Sequence, residues 1–417
     1  MRRLITITLL MLTTIVVAAQ GYHVVAGMVS DAQSRQPLAR VSITADGVAT
    51  VTNEQGRFTL KVPGARPAFI NVSMLGFKAR HVAVPSDDSP LDIMLTPSII
   101  TLNEIVVRAD DAVAVVRAAL SKVPDNYSRS SVLYKGFYRE TVQKRRQFIS
   151  VSEAVVDVYK TSYEQDISRE AVAITRGRRL LNMKPADTLG VKIMGGPVLP
   201  VVADVVKNSE MLFYEDDMPY YHFEMDTPQK LDDRLQYVVH MSPRQQQRYA
   251  LFYATLYIDQ QTLAFTRAEL TLDMSRRLPA MEAMLVKKPA TLHFRPRELS
   301  FSIHYRTEDG VTYLSYVRNV MRFTCDWRRR LFYSPFTTIS EFVVTDRQQQ
   351  AVRPIRGRDT FSRRDKLYDR VEYFSDPNFW GPDNIIEPTE TLDKAIERLK
   401  RRVSAAASPA SDESHHK

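Results

Sequence analysis

The sequence of 417 residues contains few of the residues and none of the short motifs that mark common catalytic sites. Its single cysteine, Cys325, excludes a disulfide within the chain, so the fold must be stabilised by its core. Only 14 residues are glycine, and the glycine-rich phosphate loops, the G-x-S-x-G motif and the H-E-x-x-H zinc motif are absent. We therefore predict no catalytic residue, no cofactor and no metal ion.

What the chain does contain is typical of a β-rich globular protein. Hydrophobic residues make up 44% and charged residues 25% of the sequence, which is enough apolar material for a sizeable core. The 22 prolines, 19 tyrosines and 18 phenylalanines favour long strands that are joined by proline-marked turns. The length fits two or three domains.

The first 19 residues have the layout of a secretory signal peptide. Arg2 and Arg3 precede the apolar run Leu4–Val17, and small residues at 17–19 provide a cleavage site. The alternative is a retained membrane anchor, but the run is shorter than the roughly 20 residues that span a bilayer. We expect an exported protein, and loss of both arginines would lower the net charge from +9 to +7.

Residues 20–108 show short alternating runs that are separated by turn signals. In the segment Arg57–Pro63, Phe58, Leu60 and Val62 point to one face and polar residues to the other. The preceding Asn53–Gly56 (NEQG) contains two residues that tolerate a left-handed backbone, so it predicts a hairpin turn rather than a ligand loop. The spacing indicates an antiparallel sandwich or a small barrel.

The order of these segments resembles the carboxypeptidase-like regulatory domain of Bacteroidota. The resemblance is carried by GMVSDAQSRQPLARVSI, TNEQGRFTLKVP, VSMLGFKARHVAV and LDIMLTPSIITLNEIVVRA. It implies a transthyretin-like sandwich of the kind that also precedes the plug of TonB-dependent receptors. It further implies a structural or interaction module that has no catalytic residues of its own.

Residues 109–403 predict an α+β domain with a large curved antiparallel sheet. A helix over Asp110–Val123 is indicated by apolar residues at helical spacing, and a strand pair follows with its reversal near QKRRQ. From Arg234 onward, β-branched and aromatic runs form a long meander, in which Asp309-Gly310 marks a tight turn. Because the apolar face of such a sheet needs a cover, we expect the helix over Asp110–Val123 to supply it.

Two further resemblances lie in this domain. LYIDQQTLAFTRAEL is similar to part of the large curved sheet of periplasmic lipoprotein carriers and related envelope proteins. LYKGFYRE, VSEAVVDVYKTSY and NFWGPDNIIEP resemble segments of Bacteroidota proteins that carry the same N-terminal domain, and they imply no known activity. A last amphipathic helix is predicted from Thr389 to Val403, and the polar tail 404–417 is predicted to be disordered.

Candidate contact residues are an aromatic pair and one basic run. Phe379 and Trp380 would form an exposed platform for a sugar or a partner, or a turn would dock both rings onto the sheet, which is the favoured alternative. Arg328, Arg329 and Arg330 would attract an anionic envelope surface or a glycan, although a solvated face is favoured for such basic runs. Nucleic acid is not an expected partner.

Three functions stay open at this point. The favoured one is a non-enzymatic exported envelope protein, in the periplasm or at the outer membrane, that binds an envelope protein or a glycan. A hydrolase would need His222, Glu224 and the acid pairs Asp216–Asp217 and Asp232–Asp233 to converge in a cleft. A carrier of lipids or lipoproteins would need a large apolar cavity between helix and sheet, whereas a pure interaction module would have a filled core.

Overall fold

The computed structural model describes residues 21–98, 111–181, 192–245, 247–327, 334–357, 360–362, 365–373 and 379–407. The predicted signal peptide, the basic run Arg328–Arg330 and residues 408–417 lie outside these ranges. Within them the chain is mainly β and forms a small sandwich and one large sheet, as the sequence predicts. In the described part of the chain, no helix combines the length and the apolarity needed to cross a membrane.

The N-terminal sandwich consists of two sheets. Its strands are β1 (Tyr22–Asp31), β2 (Ser42–Ala45), β3 (Val48–Val51), β4 (Arg57–Pro63), β5 (Phe69–Ser73), β6 (Arg80–Ala83) and β7 (Leu91–Leu95). One sheet has the order β4-β1-β7 and the other β3-β2-β5-β6. The alternating residues Phe58, Leu60 and Val62 are buried between the sheets, which confirms the face that the sequence pattern predicts.

The NEQG segment is a tight turn, but it does not join a hairpin. The Gly56 amide donates to the Asn53 carbonyl at 2.9 Å, and Gly56 has a φ of +72°. A Cβ at Gly56 would lie 2.4 Å from the Val29 carbonyl oxygen, so both the backbone angle and the space require glycine. Because β3 and β4 belong to different sheets, the turn carries the chain from one side of the sandwich to the other.

The second region contains the remaining strands and all of the α-helices that the structure describes. The strands are β8 (Val132–Lys144), β9 (Gln147–Lys160), β10 (Ala171–Leu181), β11 (Lys192–Ile193), β12 (Tyr221–Leu231), β13 (Arg234–Pro243), β14 (Phe252–Asp259), β15 (Phe265–Leu272), β16 (Leu285–Lys287), β17 (Leu292–Glu308), β18 (Val311–Trp327), β19 (Ser334–Gln348) and β20 (Glu372–Tyr373). The helices are α1 (Ala112–Ser121), α2 (Val123–Asn126), α3 (Leu199–Val202), α4 (Arg277–Met284) and α5 (Glu390–Ala407).

The large sheet has the order β12-β13-β14-β15-β17-β18-β19-β8-β9-β10-β20 among the described residues. All neighbours are antiparallel except β10 and β20. Asp309 and Gly310 make the predicted turn between β17 and β18, with φ angles of 52° and 77°. The strand pair β8–β9 joins the meander through β19, so the first strands of this region lie in the interior of the sheet.

One face of the sheet, here called the inner face, is covered by helices and loops. The predicted helix exists as α1, where Asp111 caps the first turn and Val115, Val116 and Ala119 are buried. It supplies only part of the cover. The rest comes from residues 194–220, here called the cover segment, which contain α3 and three-residue or longer 3₁₀ turns. The cover segment buries Leu199, Val205 and Phe213 among its apolar side chains.

The opposite, outer face is covered by the sandwich and by residues 379–407, here called the C-terminal strap. Val51 of the sandwich shares a small core with Phe137 and Val343 of the sheet and with Ile386 of the strap. The strap ends in α5, which is the amphipathic helix that the sequence predicts. Its apolar stripe packs on the edge of the sheet. The helix extends to Ala407, four residues beyond its predicted end at Val403.

Candidate functional site

An apolar cavity of about 310 Å³ lies between the inner face and the cover segment. Leu299, Phe301 and Met321 of β17 and β18 form its floor. Leu199 and Leu212 of the cover segment lie among the residues that line it from above. The volume is at the lower end of the range of small-ligand pockets, which is about 300 to 1,000 Å³. The cavity can therefore hold a single slender apolar group.

The cavity exists because the start of the cover segment is held at a distance from the sheet. Gly195 and Gly196 have φ angles of 141° and 92°, which residues with a side chain adopt only with strain. The Gly196 amide donates to the hydroxyl of Tyr138, a buried residue of β8, at 3.0 Å. The chain then turns into α3, which carries Pro200 in its first turn. These constraints hold α3 above the floor.

A buried ionic network fixes the middle of the cover segment. Asp204 is fully buried and accepts hydrogen bonds from Lys160 at 2.7 Å, Tyr163 at 2.8 Å and Tyr305 at 3.0 Å. Burial by itself would lower the pKa of Lys160, but the nearby carboxylates outweigh it and raise that pKa. The lysine therefore stays charged inside the protein.

A second pair completes this network. Lys207 lies 3.0 Å from Glu170, which is also 3.3 Å from Lys160, so two lysines face two carboxylates. Burial raises the pKa of Glu170 despite both lysines, and it lowers the pKa of Lys207. The network contains no histidine and does not line the cavity. Its two lysines and two carboxylates pair with one another, and the network holds the cover segment in place.

One polar side chain of the cavity lining is buried with an unpaired hydrogen-bond acceptor. Asn319 is 1% exposed, and its Nδ2 donates to the Ser300 carbonyl at 3.3 Å. Its Oδ1 is buried without a hydrogen-bond partner. An unpaired buried acceptor costs about 1–3 kcal/mol, and a ligand that donates a hydrogen bond would remove that cost. Asn319 is thus a candidate anchor for a hydroxyl or an amide N–H.

The mouth of the cavity is rimmed by exposed apolar side chains. Met194, Tyr249 and Val286 line the cavity and are 40%, 49% and 45% exposed. The Tyr249 hydroxyl donates to Asp217, which also lines the cavity. The rim of the cavity therefore combines these exposed apolar side chains with two acidic residues, Asp217 and Glu210.

A second cavity, of about 490 Å³, lies between the sandwich and the sheet and is polar. Four of its five arginines are paired with carboxylates, and the fifth, Arg80, donates to the Met94 carbonyl. The pairs are Arg40–Glu54, Arg234–Asp259, Arg267–Glu269 and Arg306–Glu308. Since most of this charge is neutralised within the protein, the larger cavity offers little to an anionic ligand. We regard it as a cleft of the interface between the two domains.

The aromatic pair that the sequence singled out does not form an exposed platform. Trp380 is 5% exposed, and its ring meets that of Phe137 edge-on at 5.3 Å. Phe379 is partly buried beside it, with ring centroids 4.8 Å apart. The Arg178 guanidinium lies 4.7 Å from the Trp380 ring. The strap thus docks both rings on the outer face, which was the favoured alternative, while Arg328, Arg329 and Arg330 lie outside the described residues.

In the basic run Arg176–Arg179 (RGRR), Arg176 is exposed to solvent whereas Arg178 is buried. Arg178 and Arg139 are 8% and 3% exposed and both contact Glu153, at 2.7 Å and 2.6 Å. Burial alone would raise the pKa of Glu153, but the two guanidinium groups outweigh it and hold the pKa below its usual value. This second buried network also escaped the sequence analysis, whose only signal was a charged residue in an otherwise apolar strand.

The residues of the hydrolase alternative do not converge. His222 and Glu224 are exposed at the start of β12. Asp232 and Asp233 form the turn at the other end of that strand, and Asp232 accepts a hydrogen bond from Ser73 of the sandwich. In the described ranges, no three His, Cys, Asp or Glu side chains are grouped so as to hold a metal ion.

Cys325 lies in the core of the inner face, together with Met321 and Phe323. Burial raises the pKa of its thiol to about 12. A thiol with this pKa is almost entirely protonated at neutral pH, so Cys325 is a packing residue.

Comparison with known proteins identifies the N-terminal region. The family model of the CarboxypepD_reg-like domain matches residues 25–107, so the chain carries a carboxypeptidase-like regulatory domain, as predicted. No curated protein matches the chain.

Several solved structures show a weak likeness. They include a DUF1329 family protein from Desulfovibrio piger, with 11% identity over 58% of this chain and 95% of that chain and a TM-score of 0.25. A Vibrio parahaemolyticus domain described as outer membrane lipoprotein-sorting has 11% identity, the same coverage and a TM-score of 0.29. A LolA superfamily protein from Nitrosomonas europaea has 12% identity over 57% and 94% of the two chains and a TM-score of 0.23. Scores this low carry no weight for function.

Proposed function

We propose that the protein is a non-enzymatic, exported envelope protein that binds the acyl chain of a lipid or lipoprotein in the cavity of the inner face. The observation that carries this proposal is the apolar cavity itself, beneath a cover segment that buried ion pairs hold in place. A pure interaction module would have a filled core at this position. In this proposal the sandwich and the strap brace the outer face and leave the inner face to bind the ligand.

The lining supports a ligand that is mostly apolar with one polar group. Leu299, Phe301 and Met321 offer only apolar contact, and burial of a methylene group stabilises a complex by about 0.8 kcal/mol. Asn319 offers a single hydrogen-bond acceptor. Hydroxylated or amide-linked acyl chains combine these two features.

The test measures the binding of a fluorescent fatty acid to the purified protein and to two matched variants. Ala283 lines the apolar cavity, whereas Ala79 lines the polar cleft between the domains. We expect Ala283→Phe to fill the cavity and to raise the Kd at least tenfold, and Ala79→Phe to leave it within twofold. Circular dichroism and urea unfolding check that both variants fold.

Two outcomes would overturn the proposal. One is a wild-type protein that does not bind the probe. The other is an Ala283→Phe variant that folds normally and binds the probe as the wild-type protein does.

A further inference from the structure

An exposed apolar and basic surface adjoins the mouth of the cavity. Leu278, on α4, is 66% exposed, and Val286 and Met194 are 45% and 40% exposed. The latter two line the cavity, and β11 pairs with β16 to place them on one ribbon. The amide of Met194 also donates to the Met284 carbonyl, the last residue of α4, at 2.9 Å. The helix and the ribbon therefore form one continuous element at the rim.

Positively charged residues flank Leu278 and Val286 in the sequence. Arg276 and Arg277 precede Leu278, and Lys287 and Lys288 follow Val286. Glu282 is the sole acid within 276–288, so this stretch carries a net charge of +3. Among the described residues, none of the four cations forms an ion pair. Arg276 and Arg277 donate to the carbonyls of Gln247 and Phe294.

This composition differs from that of the polar cleft, where arginines are neutralised by carboxylates. Unpaired cations around exposed apolar side chains complement a surface that is anionic outside and apolar beneath. Such a surface is an anionic lipid bilayer, whose negative surface potential attracts basic residues. Burial of an apolar side chain such as leucine in the bilayer adds to that attraction.

We propose that this basic–apolar patch docks the protein on an anionic lipid bilayer with the mouth of the cavity facing the membrane. The patch consists of Met194, Arg276, Arg277, Leu278, Val286, Lys287 and Lys288. Docking in this orientation would let an acyl chain pass between bilayer and cavity without crossing water. That transfer rests on the proposed function, whereas the docking itself can be measured separately.

The experiment is flotation of the purified protein with vesicles of phosphatidylcholine alone or with about one third phosphatidylglycerol, at low and high salt. The wild-type protein is expected to float with the anionic vesicles at low salt and to be released at high salt, because salt screens surface charge. Lys287→Glu with Lys288→Glu should weaken binding at least tenfold. Leu278→Ser should weaken it about tenfold at low salt without altering its salt dependence. All variants keep the same N-terminus.

The matched control reverses two exposed charges elsewhere, with Arg353→Glu and Arg356→Glu, and should bind within threefold of wild type. Equal effects of the two double variants would mean that net charge alone attracts the protein, and would overturn the proposal. Failure of the wild-type protein to bind either vesicle would also overturn it and would favour a protein partner.

Ala283→Phe separates docking from ligand binding. This variant should float as the wild-type protein does even though it has lost the fatty-acid probe. If Ala283→Phe keeps the probe while the lysine variant loses the vesicles, the proposed function fails and docking stands. If Ala283→Phe loses the probe and the lysine variant still floats, docking fails and the proposed function stands.

Discussion

The two faces of the large sheet are covered in different ways. The outer face is closed by the sandwich and the C-terminal strap, and Trp380 and Ile386 fill the space between them and the sheet. The inner face is covered by a segment with little regular structure, and a cavity of about 310 Å³ remains beneath it. Both covers are fixed by buried charge, through Glu153 on the outer side and Asp204 on the inner side.

The difference shows that buried ion pairs can fix a covering segment on the sheet whether or not side chains fill the space beneath it. On the outer face, Asn384 pairs with both the amide and the carbonyl of Lys61, at 2.6 Å and 2.8 Å, and so closes the free edge of β4. On the inner face, the ion pairs hold the middle of the cover segment, while the space between the apolar side chains of the segment and the sheet is not filled. We infer that the outer face is devoted to stability and the inner face to binding.

The largest expected effect is on the outer face, from Glu153→Gln. The substitution leaves Arg139 and Arg178 buried without their carboxylate, and breaking a buried ion pair in this way costs about 3–5 kcal/mol. Urea unfolding measures the loss. Glu164→Gln, at an exposed position, is the control and should change the free energy of unfolding by less than about 0.5 kcal/mol. A loss below about 1 kcal/mol for Glu153→Gln would contradict the role of this network.

The next largest effect on the free energy of unfolding distinguishes the two aromatic residues of the strap. Trp380→Ala removes a fully packed ring and should lower the free energy of unfolding by about 3 kcal/mol. Phe379→Ala, at a partly buried position, should cost clearly less, about 1–2 kcal/mol. The same unfolding experiment compares them. Equal, small losses would mean that the strap is not part of the outer core.

A third prediction concerns pH and the interface between the domains. His304 lines the cleft, and burial, together with Arg267 and Arg40, holds its pKa well below the ordinary value of 6.5. The imidazole is thus neutral in the folded protein, whereas the unfolded chain binds a proton below pH 6.5. Stability therefore falls as the pH falls, by about 1 kcal/mol from this group between pH 6.5 and 5.5.

The variant His304→Gln tests this contribution. Its free energy of unfolding should fall less than that of the wild-type protein over this pH range, and the two profiles should run parallel above pH 7.5. Profiles that stay parallel down to pH 5.5 would show that His304 is not responsible.

The substitution Asn319→Leu should have the smallest effect on stability, and it is the sharpest test of ligand binding at the inner face. The free energy of unfolding should change by less than about 1 kcal/mol, because one hydrogen bond is lost while an unpaired acceptor is removed. Affinity for a hydroxylated fatty acid should fall about tenfold, and affinity for its unhydroxylated analogue should not fall. Asn319→Asp, which keeps an acceptor, is the matched variant. Equal losses for both fatty acids would contradict the anchoring role of Asn319.

Much of the β architecture could be predicted from local patterns. The alternation of Leu299, Phe301 and Ile303 along β17 and the Asp309-Gly310 turn identify strands and a reversal without any knowledge of neighbours. The cover segment could not be predicted in this way. Its α-helix has only four residues, and its buried side chains follow no single period, since loops and 3₁₀ turns orient them one by one.

The candidate site was the least predictable part. Lys160 and Asp204 are 44 residues apart, and Asn319 and Phe301 become neighbours only through strand register. No local sequence pattern predicts contacts between residues so far apart in the chain. The aromatic pair Phe379-Trp380 was a candidate surface site because the residue types alone do not show whether the rings are buried.

By itself the sequence identified the CarboxypepD_reg-like domain at residues 25–107, through the resemblance of its motifs to that family. It also determined the series of long strands and the terminal amphipathic helix, since these depend on periodicity or on turn chemistry within a few residues. The tertiary structure alone decided that the sandwich and the strap share one face of the sheet and that an apolar cavity remains on the other. The physical reason is that the alternation of apolar and polar residues predicts which side chains are buried. The shape of the space around those side chains depends instead on contacts between segments far apart in the chain.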